Sequence, residues 1–356
     1  MPRPSVCIKV PKNQGEKTLT LATKLGLADK SLVIQREEDS LIIPLFREPK
    51  GIEFTTLESQ IPKFKLYTAV FSEKQLPPET LTQVLEDKLP PELRAKVPQA
   101  FDIIGDIVVI DIPPQLKVYQ NTIGEAILQT QKNVTTVLAK ASDISGVFRI
   151  RDYDFIAGEH KTQTIHREFG CQYHVDVAKA YFSPRLSHEH ERVAVQVQNG
   201  EVVADLFAGV GPFAVLIGKR NPTVKVYAVD LNPDAVELLK VNVRVNRVED
   251  HVFPLLADAR EISQIKLKGA ADRVIMNLPE TAIEYVDAAC NTIKPEGGIV
   301  HFYGFVRAPD TIENLKQRFI ELVEKHGRKV EAFNYAKSIR ETAPFESQVV
   351  LDAQIC

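Results

Sequence analysis

From about residue 168 onward, apolar residues fall into short runs separated by longer segments of helical period. The runs Val202–Leu206, Lys225–Val229, Val252–Leu256, Arg273–Met276, Ile299–Tyr303, Lys329–Asn334 and Gln348–Gln354 predict strands. Segments near 213–219, 233–246, 281–293 and 309–326 predict helices between them. Regular alternation of this kind predicts an α/β fold with a mostly parallel, doubly wound, Rossmann-like sheet. The last two strands have no helix between them, so they are expected to form an antiparallel pair at one edge.

The upstream text has two other textures, each expected to be a smaller α+β domain. Residues 1–72 hold an amphipathic segment, Thr18–Leu27, and strand-like runs at Ser31–Gln35 and Leu41–Leu45. Basic residues Arg3, Lys9, Lys12, Lys17, Lys24 and Lys30 punctuate them. Residues 76–167 open with Pro77-Pro78-Glu79 and Pro90-Pro91-Glu92, which read as starts of helical text. A strand is expected at Ile103–Ile112, closed by Pro113-Pro114. An amphipathic helix is expected over Thr122–Ala141, with Ile123, Ala126, Ile127, Val134, Val137 and Leu138 on one face. A further strand is expected over Gly146–Tyr153, with Arg149 and Arg151 alternating outward. The third domain then spans 168–356.

With 356 residues the chain is too long for one ordinary core, which agrees with two or three domains. Hydrophobic residues at 44% and charged residues at 26% are those of a soluble protein. A net charge of −3 weighs mildly against a nucleic-acid partner, although a local basic patch suffices for phosphate contacts. No apolar run is long enough to span a bilayer, and Met-Pro-Arg-Pro-Ser lacks the layout of a signal peptide. Cys7, Cys171, Cys290 and Cys356 are widely spaced, which argues against disulfides and zinc and fits a reducing cytoplasm.

The chemistry concentrates at predicted strand ends. An apolar strand runs into Asp205-Leu-Phe-Ala-Gly209-Val-Gly211-Pro-Phe213, where glycine lets the backbone turn tightly and approach a ligand. The next strand ends in Asp230, which can accept bonds from both hydroxyls of a ribose. A dinucleotide fingerprint would place a third glycine where Ala214 stands. Asp205 would repel a pyrophosphate but suits the ammonium of a methionine moiety, so the charges favour S-adenosylmethionine over NAD. Asp258 taken alone suits an adenine amine or a helix cap equally, but with Asp205 and Asp230 at matching strand ends the ligand reading is favoured. Asn277-Leu278-Pro279 stands at the end of the fourth strand, where an amide can meet a planar base edge. Phe207, Leu231 and Ala259, adjoining these positions, are expected to line the same cofactor site.

DLFAGVGPF, YAVDLNP and NLP, with Tyr181-Phe-Ser-Pro-Arg185-Leu, resemble the archaeal–eukaryotic tRNA (guanine-37 N1)-methyltransferases. Phe148-Arg-Ile-Arg151, Ala157-Gly-Glu159 and Gly304-Phe-Val306 are also similar, and the likeness is looser in the N-terminal module. The resemblance implies S-adenosylmethionine as cofactor and methyl transfer to N1 of the guanosine 3′ of the anticodon. N1 carries a proton, so transfer requires a base and stabilisation of charge on O6. The resemblance places the base at Glu189 and the cation at Arg149, with Asn277 and Pro279 completing the catalytic set. Tyr181 is expected to border the cofactor, and Arg185 to serve phosphate or the cofactor carboxylate. Family members carry arginine after that glutamate, whereas this chain has His190, which makes Glu191 a competing base.

Read without the resemblance, Ser187-His-Glu-His-Glu-Arg192 is an ordinary charged first helical turn, and His188 and His190 lack further ligands for a metal. The runner-up activity is an aminocarboxypropyl transferase or precursor methyltransferase of wyosine synthesis. A non-catalytic nucleotide-binding regulator would show a damaged acid–base set, and a small-molecule methyltransferase would need no extra docking modules. The expected partner is tRNA with G37, bound by a monomer, with residues 1–72 docking tRNA away from the anticodon.

Overall fold

The computed structural model describes residues 2–73, 80–142, 146 and 148–356. Pro77-Pro78-Glu79 and, within the expected strand Gly146–Tyr153, Val147 lie outside the described residues. The chain divides into two compact units, Met1–Gln83 and Val84–Cys356.

In the first unit the chain runs β1 (Arg3–Pro11), α1 (Gly15–Lys24), β2 (Gln35–Arg36), β3 (Ser40–Leu45), α2 (Ile52–Gln60) and β4 (Lys65–Phe71). The four strands form an antiparallel sheet in the order β2-β3-β1-β4. Leu21 and Ala22 of α1 pack with Ile8, Val10 and Ile43 of that sheet. The run Ser31–Gln35 is not one continuous strand: Leu32 makes an isolated bridge to Glu73, and only Gln35 and Arg36 pair with β3. The central strand β1 escaped the sequence pattern because only its middle, Cys7, Ile8 and Val10, is buried.

Two short helices follow, α3 (Leu81–Val84) and α4 (Pro91–Arg94). A mixed sheet in the order β5-β6-β7-β8 is built from β5 (Asp102–Ile104), β6 (Ile107–Ile110), β7 (Thr136–Lys140) and β8 (Tyr153–Gly158). Helix α5 (Gln120–Thr130) makes the crossover between the parallel strands β6 and β7. Three expectations need correction. The run Ile103–Ile112 is a hairpin, because Gly105 at φ 57° turns the chain between Ile104 and Ile107. The helix expected over Thr122–Ala141 stops at Thr130, and its β-branched tail, Thr136–Lys140, is a buried strand. The strand begins at Tyr153 rather than Gly146; Gly146, Phe148 and Arg149 stand in turns, Arg149 with φ 55°.

After the hairpin of β9 (Gln163–Glu168) and β10 (Cys171–Asp176) comes α6 (Ser187–Gln196). The chain then alternates β11 (Val202–Asp205), α7 (Pro212–Arg220), β12 (Lys225–Asp230), α8 (Pro233–Val245), β13 (Val252–Leu256), α9 (Ala259–Gln264), β14 (Arg273–Met276), α10 (Val286–Thr292), β15 (Gly298–Arg307) and α11 (Ile312–Lys325). It ends in β16 (Val330–Ala343) and β17 (Glu346–Ile355). These form one seven-stranded sheet, β13-β12-β11-β14-β15-β17-β16, parallel except where β17 pairs antiparallel with β15 and β16.

Successive strand residues feed two cores, one on each face. Val203, Val226, Ile275 and Tyr303 pack with residues of α6, α7 and α8, whereas Ala204, Val229, Val274 and Phe302 pack with α9, α10 and α11. This is the mixed, doubly wound α/β architecture that the strand–helix alternation predicted, and its sheet order reverses between β11 and β14, where a ligand crevice is expected. Among the described residues no helix is long and apolar enough to cross a membrane.

Candidate active site

Four adjacent strand ends build the crevice. In sheet order, Asp258 follows β13, Asp230 ends β12, Asp205 ends β11 and Asn277 follows β14. A single hollow there is walled by Phe207, Gly209, Asp230, Leu231, Asp258 and Ala259 on one side. Tyr181, Asn277, Leu278, Pro279 and Tyr285 line it as well. The sequence did not single out Tyr285, whose ring meets Phe207 edge-on at 5.2 Å. Its signal was an aromatic one turn beyond the Asn-Leu-Pro loop.

Gly209 and Gly211 take φ values of 55° and 89°, left-handed conformations that favour glycine. A Cβ on Gly211 would run into Leu239. The loop thus brings the Gly209 amide to Asp230 Oδ2 at 2.7 Å, while the Asn232 amide donates to Oδ1 at 2.9 Å. Burial pushes the Asp230 carboxyl up despite these amides.

Asp205 has no solvent exposure, and neither of its oxygens has a well-formed hydrogen bond. Burial pushes its carboxyl up to about 8, the Phe207 amide opposing and the Asp230 charge adding to the rise. A buried, unpartnered carboxylate costs free energy that a cationic ligand group can recover. Asn277 Oδ1 is likewise buried without a partner. Asp258 does cap a helix, accepting from the Arg260 and Glu261 amides at 2.8 and 3.2 Å, and it walls the hollow as well.

A second hollow adjoins the first, and Arg149 and Tyr181 line both. Lys140, Arg149, Arg151, Arg185 and Arg340 outnumber Asp102, Glu280 and Glu341 around it. Arg149 donates to Glu280 at 3.0 and 2.8 Å, and its guanidinium lies 5.6 Å from the Tyr181 ring centroid. Glu280 went unnoticed in the sequence although it directly follows Pro279. Arg185 belongs to this second hollow, paired with Asp102; neither it nor Asp205 nor Gly211, all expected at the cofactor, is among the residues lining the first hollow.

Glu189 sits on α6 at i+3 from Leu186, a wall residue of the crevice, and beside His190, another. Its own side chain is only 9% exposed and lies behind that wall. Arg192 donates to both of its oxygens at 3.1 and 3.0 Å, and the Tyr303 hydroxyl donates to Oε2 at 3.0 Å. Glu191, the competing base, faces elsewhere and pairs with Arg220. His190 Nδ1 meets Glu168 at 2.7 Å. Burial opposes ionisation of Glu168, but bonds to His166 and His190 hold its carboxyl down at about 2. Among the described residues no group of three His, Cys, Asp or Glu is placed to hold a metal ion.

The TRM5/TYW2 methyltransferase domain model matches residues 164–332. A TYW2 N-terminal domain matches 81–162, and a tRNA methyltransferase 5 N-terminal domain matches 7–53. The tRNA (guanine(37)-N(1))-methyltransferase Trm5b of Pyrococcus abyssi is 40% identical over 351 residues, covering 99% of each chain. The crystal structure of P. abyssi Trm5b superposes with a TM-score of 0.74 at 38% identity, again covering 99% of both chains. The structure of aTrm5 in complex with tRNALeu matches with a TM-score of 0.75 at 32% identity, over 98% of this chain and 99% of that one. A likeness of this extent, spanning both compact units, means that the chain belongs to the tRNA (guanine(37)-N(1))-methyltransferase family.

Proposed function

We propose that this chain transfers the methyl group of S-adenosylmethionine to N1 of the guanosine at tRNA position 37. The observation that carries the reading is the crevice lined by Asp230, Asp258 and Asn277 at neighbouring strand ends beside an arginine-rich hollow, with the buried, unpartnered Asp205 at the strand end between Asp230 and Asn277. The donor set fits the cofactor. Asp205 suits its ammonium, Asp230 its ribose hydroxyls and Asp258 its adenine amine. Phe207, Leu231 and Ala259 offer apolar or backbone contacts to the adenosine. When bound, S-adenosylmethionine supplies an electrophilic methyl group.

The chain's own residues then act on the base. The target guanosine leaves its stack and enters through the arginine-rich hollow, whose cations suit the flanking phosphates. Arg185 is assigned to that phosphate role. Arg149, at the junction of the two hollows, leaves Glu280 and donates to O6, stabilising charge that develops there. Glu189 accepts the N1 proton, exchanging part of its contact with Arg192 for the base edge. Asn277 turns its unused Oδ1 toward the exocyclic amine, and Pro279 stiffens the loop that holds it.

Three parts divide the labour in this proposal. Residues 168–356 hold the cofactor, 76–167 supply Arg149, and 1–72 read tRNA shape and phosphates away from the anticodon. The enzyme acts as a cytoplasmic monomer. Labelled methyl transfer to transcripts bearing G or A at position 37 tests the reading, with incorporation expected only for G. Deleting residues 1–72 is expected to raise KM for tRNA while cofactor affinity stays unchanged. Equal incorporation into both transcripts would refute the base assignment. The wyosine-pathway reading keeps a place because a TYW2 N-terminal domain matches 81–162; it predicts an aminocarboxypropyl adduct instead.

A further inference from the structure

Behind the crevice wall lies a row of buried charges. Antiparallel pairing of β15 with β17 sets His301 opposite Asp352, and pairing of β17 with β16 sets Tyr335 opposite Asp352. Arg192 of α6 lies on this row. Its guanidinium stands 4.4 Å over the Tyr335 ring and binds both oxygens of Asp352. The same guanidinium holds both oxygens of Glu189.

Hydrogen-bond chemistry assigns the protonation of the row. His301 Nε2 faces the Arg273 guanidinium at 2.8 Å, and a guanidinium can only donate. Nε2 is therefore the acceptor, and Nδ1 carries the proton donated to Asp352 at 2.7 Å. That is a neutral imidazole, in keeping with burial pushing the His301 pKa down. Arg273 is matched by Glu201 at 2.9 Å. What remains is two carboxylates, Glu189 and Asp352, sharing the single charge of Arg192. One surplus negative charge is left in a dry site, and a proton on Glu189 would cancel it.

We propose that Arg192, Asp352 and His301 form a positioning relay for Glu189, in which Asp352 competes for Arg192 and so keeps Glu189 able to accept the N1 proton. The inference rests on the reading of Glu189 as the base. In the step concerned, the proton passes from N1 to a Glu189 oxygen while its bonding pair stays on N1. His301 fixes Asp352, Asp352 fixes Arg192, and Arg192 aims the carboxylate. The charged and titratable groups facing Glu189 are Arg192 on its own helix, Tyr303 on β15 and Asp352 on β17. His301 stands behind Asp352, and Tyr335 of β16 lies under Arg192. The neighbouring His190–Glu168 and Glu191–Arg220 pairs are separate.

Two substitutions should move the rate in opposite senses along the pH axis. Asp352→Asn removes the competitor, so Glu189 gains all of Arg192 and becomes harder to protonate. The acid limb of single-turnover methyl transfer should move to lower pH by on the order of one unit, and the plateau should fall. Tyr303→Phe removes a donor to the ionised carboxylate, so the acid limb should move to higher pH. S-adenosylhomocysteine affinity and KM for tRNA should stay unchanged in both, and Glu189→Gln should lose roughly 100-fold or more of the plateau rate. Opposite shifts support the relay. Limbs that stay put or move together overturn it, even where Glu189→Gln is inactive and the base assignment survives. A Glu189→Gln enzyme with wild-type rate and profile overturns the base assignment and the relay together. If Asp352→Asn does not fold, His301→Leu decides: without its donor Asp352 draws harder on Arg192, so the acid limb should move to higher pH with S-adenosylhomocysteine affinity unchanged, and an unmoved limb overturns the relay.

Discussion

Cofactor affinity should carry the signature of Asp205. Burial pushes its carboxyl up to about 8, so that the protonated form prevails at neutral pH until a cation is placed beside it. An ammonium placed against it favours the ionised form, and binding must expel a proton wherever the carboxyl is still protonated. Affinity for an amino-acid-bearing ligand should therefore rise with pH through the range below 8. With about one molecule in a hundred ionised at pH 6 and half at pH 8, the gain between them is about 50-fold. At more alkaline pH the ligand's own amino-acid ammonium loses its charge and the affinity should turn down. Calorimetric titration with S-adenosylhomocysteine, in buffers of different ionisation enthalpy, measures both the affinity and the protons released. Adenosine, which lacks the ammonium, should bind with little pH dependence. Asp205→Asn should weaken S-adenosylhomocysteine at pH 8 and flatten its profile. A flat wild-type profile with no proton release would refute the pairing of Asp205 with the ammonium.

Other consequences follow from particular contacts. Arg149→Ala should lower the plateau rate of methyl transfer by on the order of 100- to 1000-fold, as for loss of one oxyanion donor, with cofactor affinity preserved. Glu280→Gln frees the same arginine from a half-exposed pair, and pairs of this kind are worth at most about 1 kcal/mol, so KM for tRNA should fall by no more than about fivefold. Asn277→Ala removes a buried acceptor that lacks a partner, so turnover should drop while the melting temperature holds or rises. Gly211→Ala forces a left-handed residue against Leu239 and should cost at least about 1 kcal/mol in thermal unfolding, with cofactor affinity lost alongside.

The cofactor-binding sheet was legible in the sequence because its strands are buried on both faces and read as compact apolar runs between helices. Asp205, Asp230, Asp258 and Asn277 fell at consecutive strand ends for the same reason. The middle segment was harder to read. A single Gly105 converts one apolar run into a hairpin, and a strand after Thr130 continues the helix-like apolar spacing of α5. Arg149 reaches the junction of the two hollows from a turn rather than from the face of a strand. Arg185 could be placed only by its partner Asp102, and the surroundings of Glu189 only by Asp352 and Tyr303. Contacts that distant in sequence leave no periodic trace, so they emerge only once the strands are in register.

The central claim concerns which atom of which nucleotide receives the methyl group. Incubating the protein with S-adenosylmethionine and an unmodified G37 transcript, then digesting with a site-specific nuclease and analysing nucleosides by mass spectrometry, answers it directly. N1-methylguanosine confined to the fragment containing position 37 is the predicted result. Methylation at another position or atom, or an aminocarboxypropyl adduct on a wyosine precursor in place of any methyl, would contradict the account.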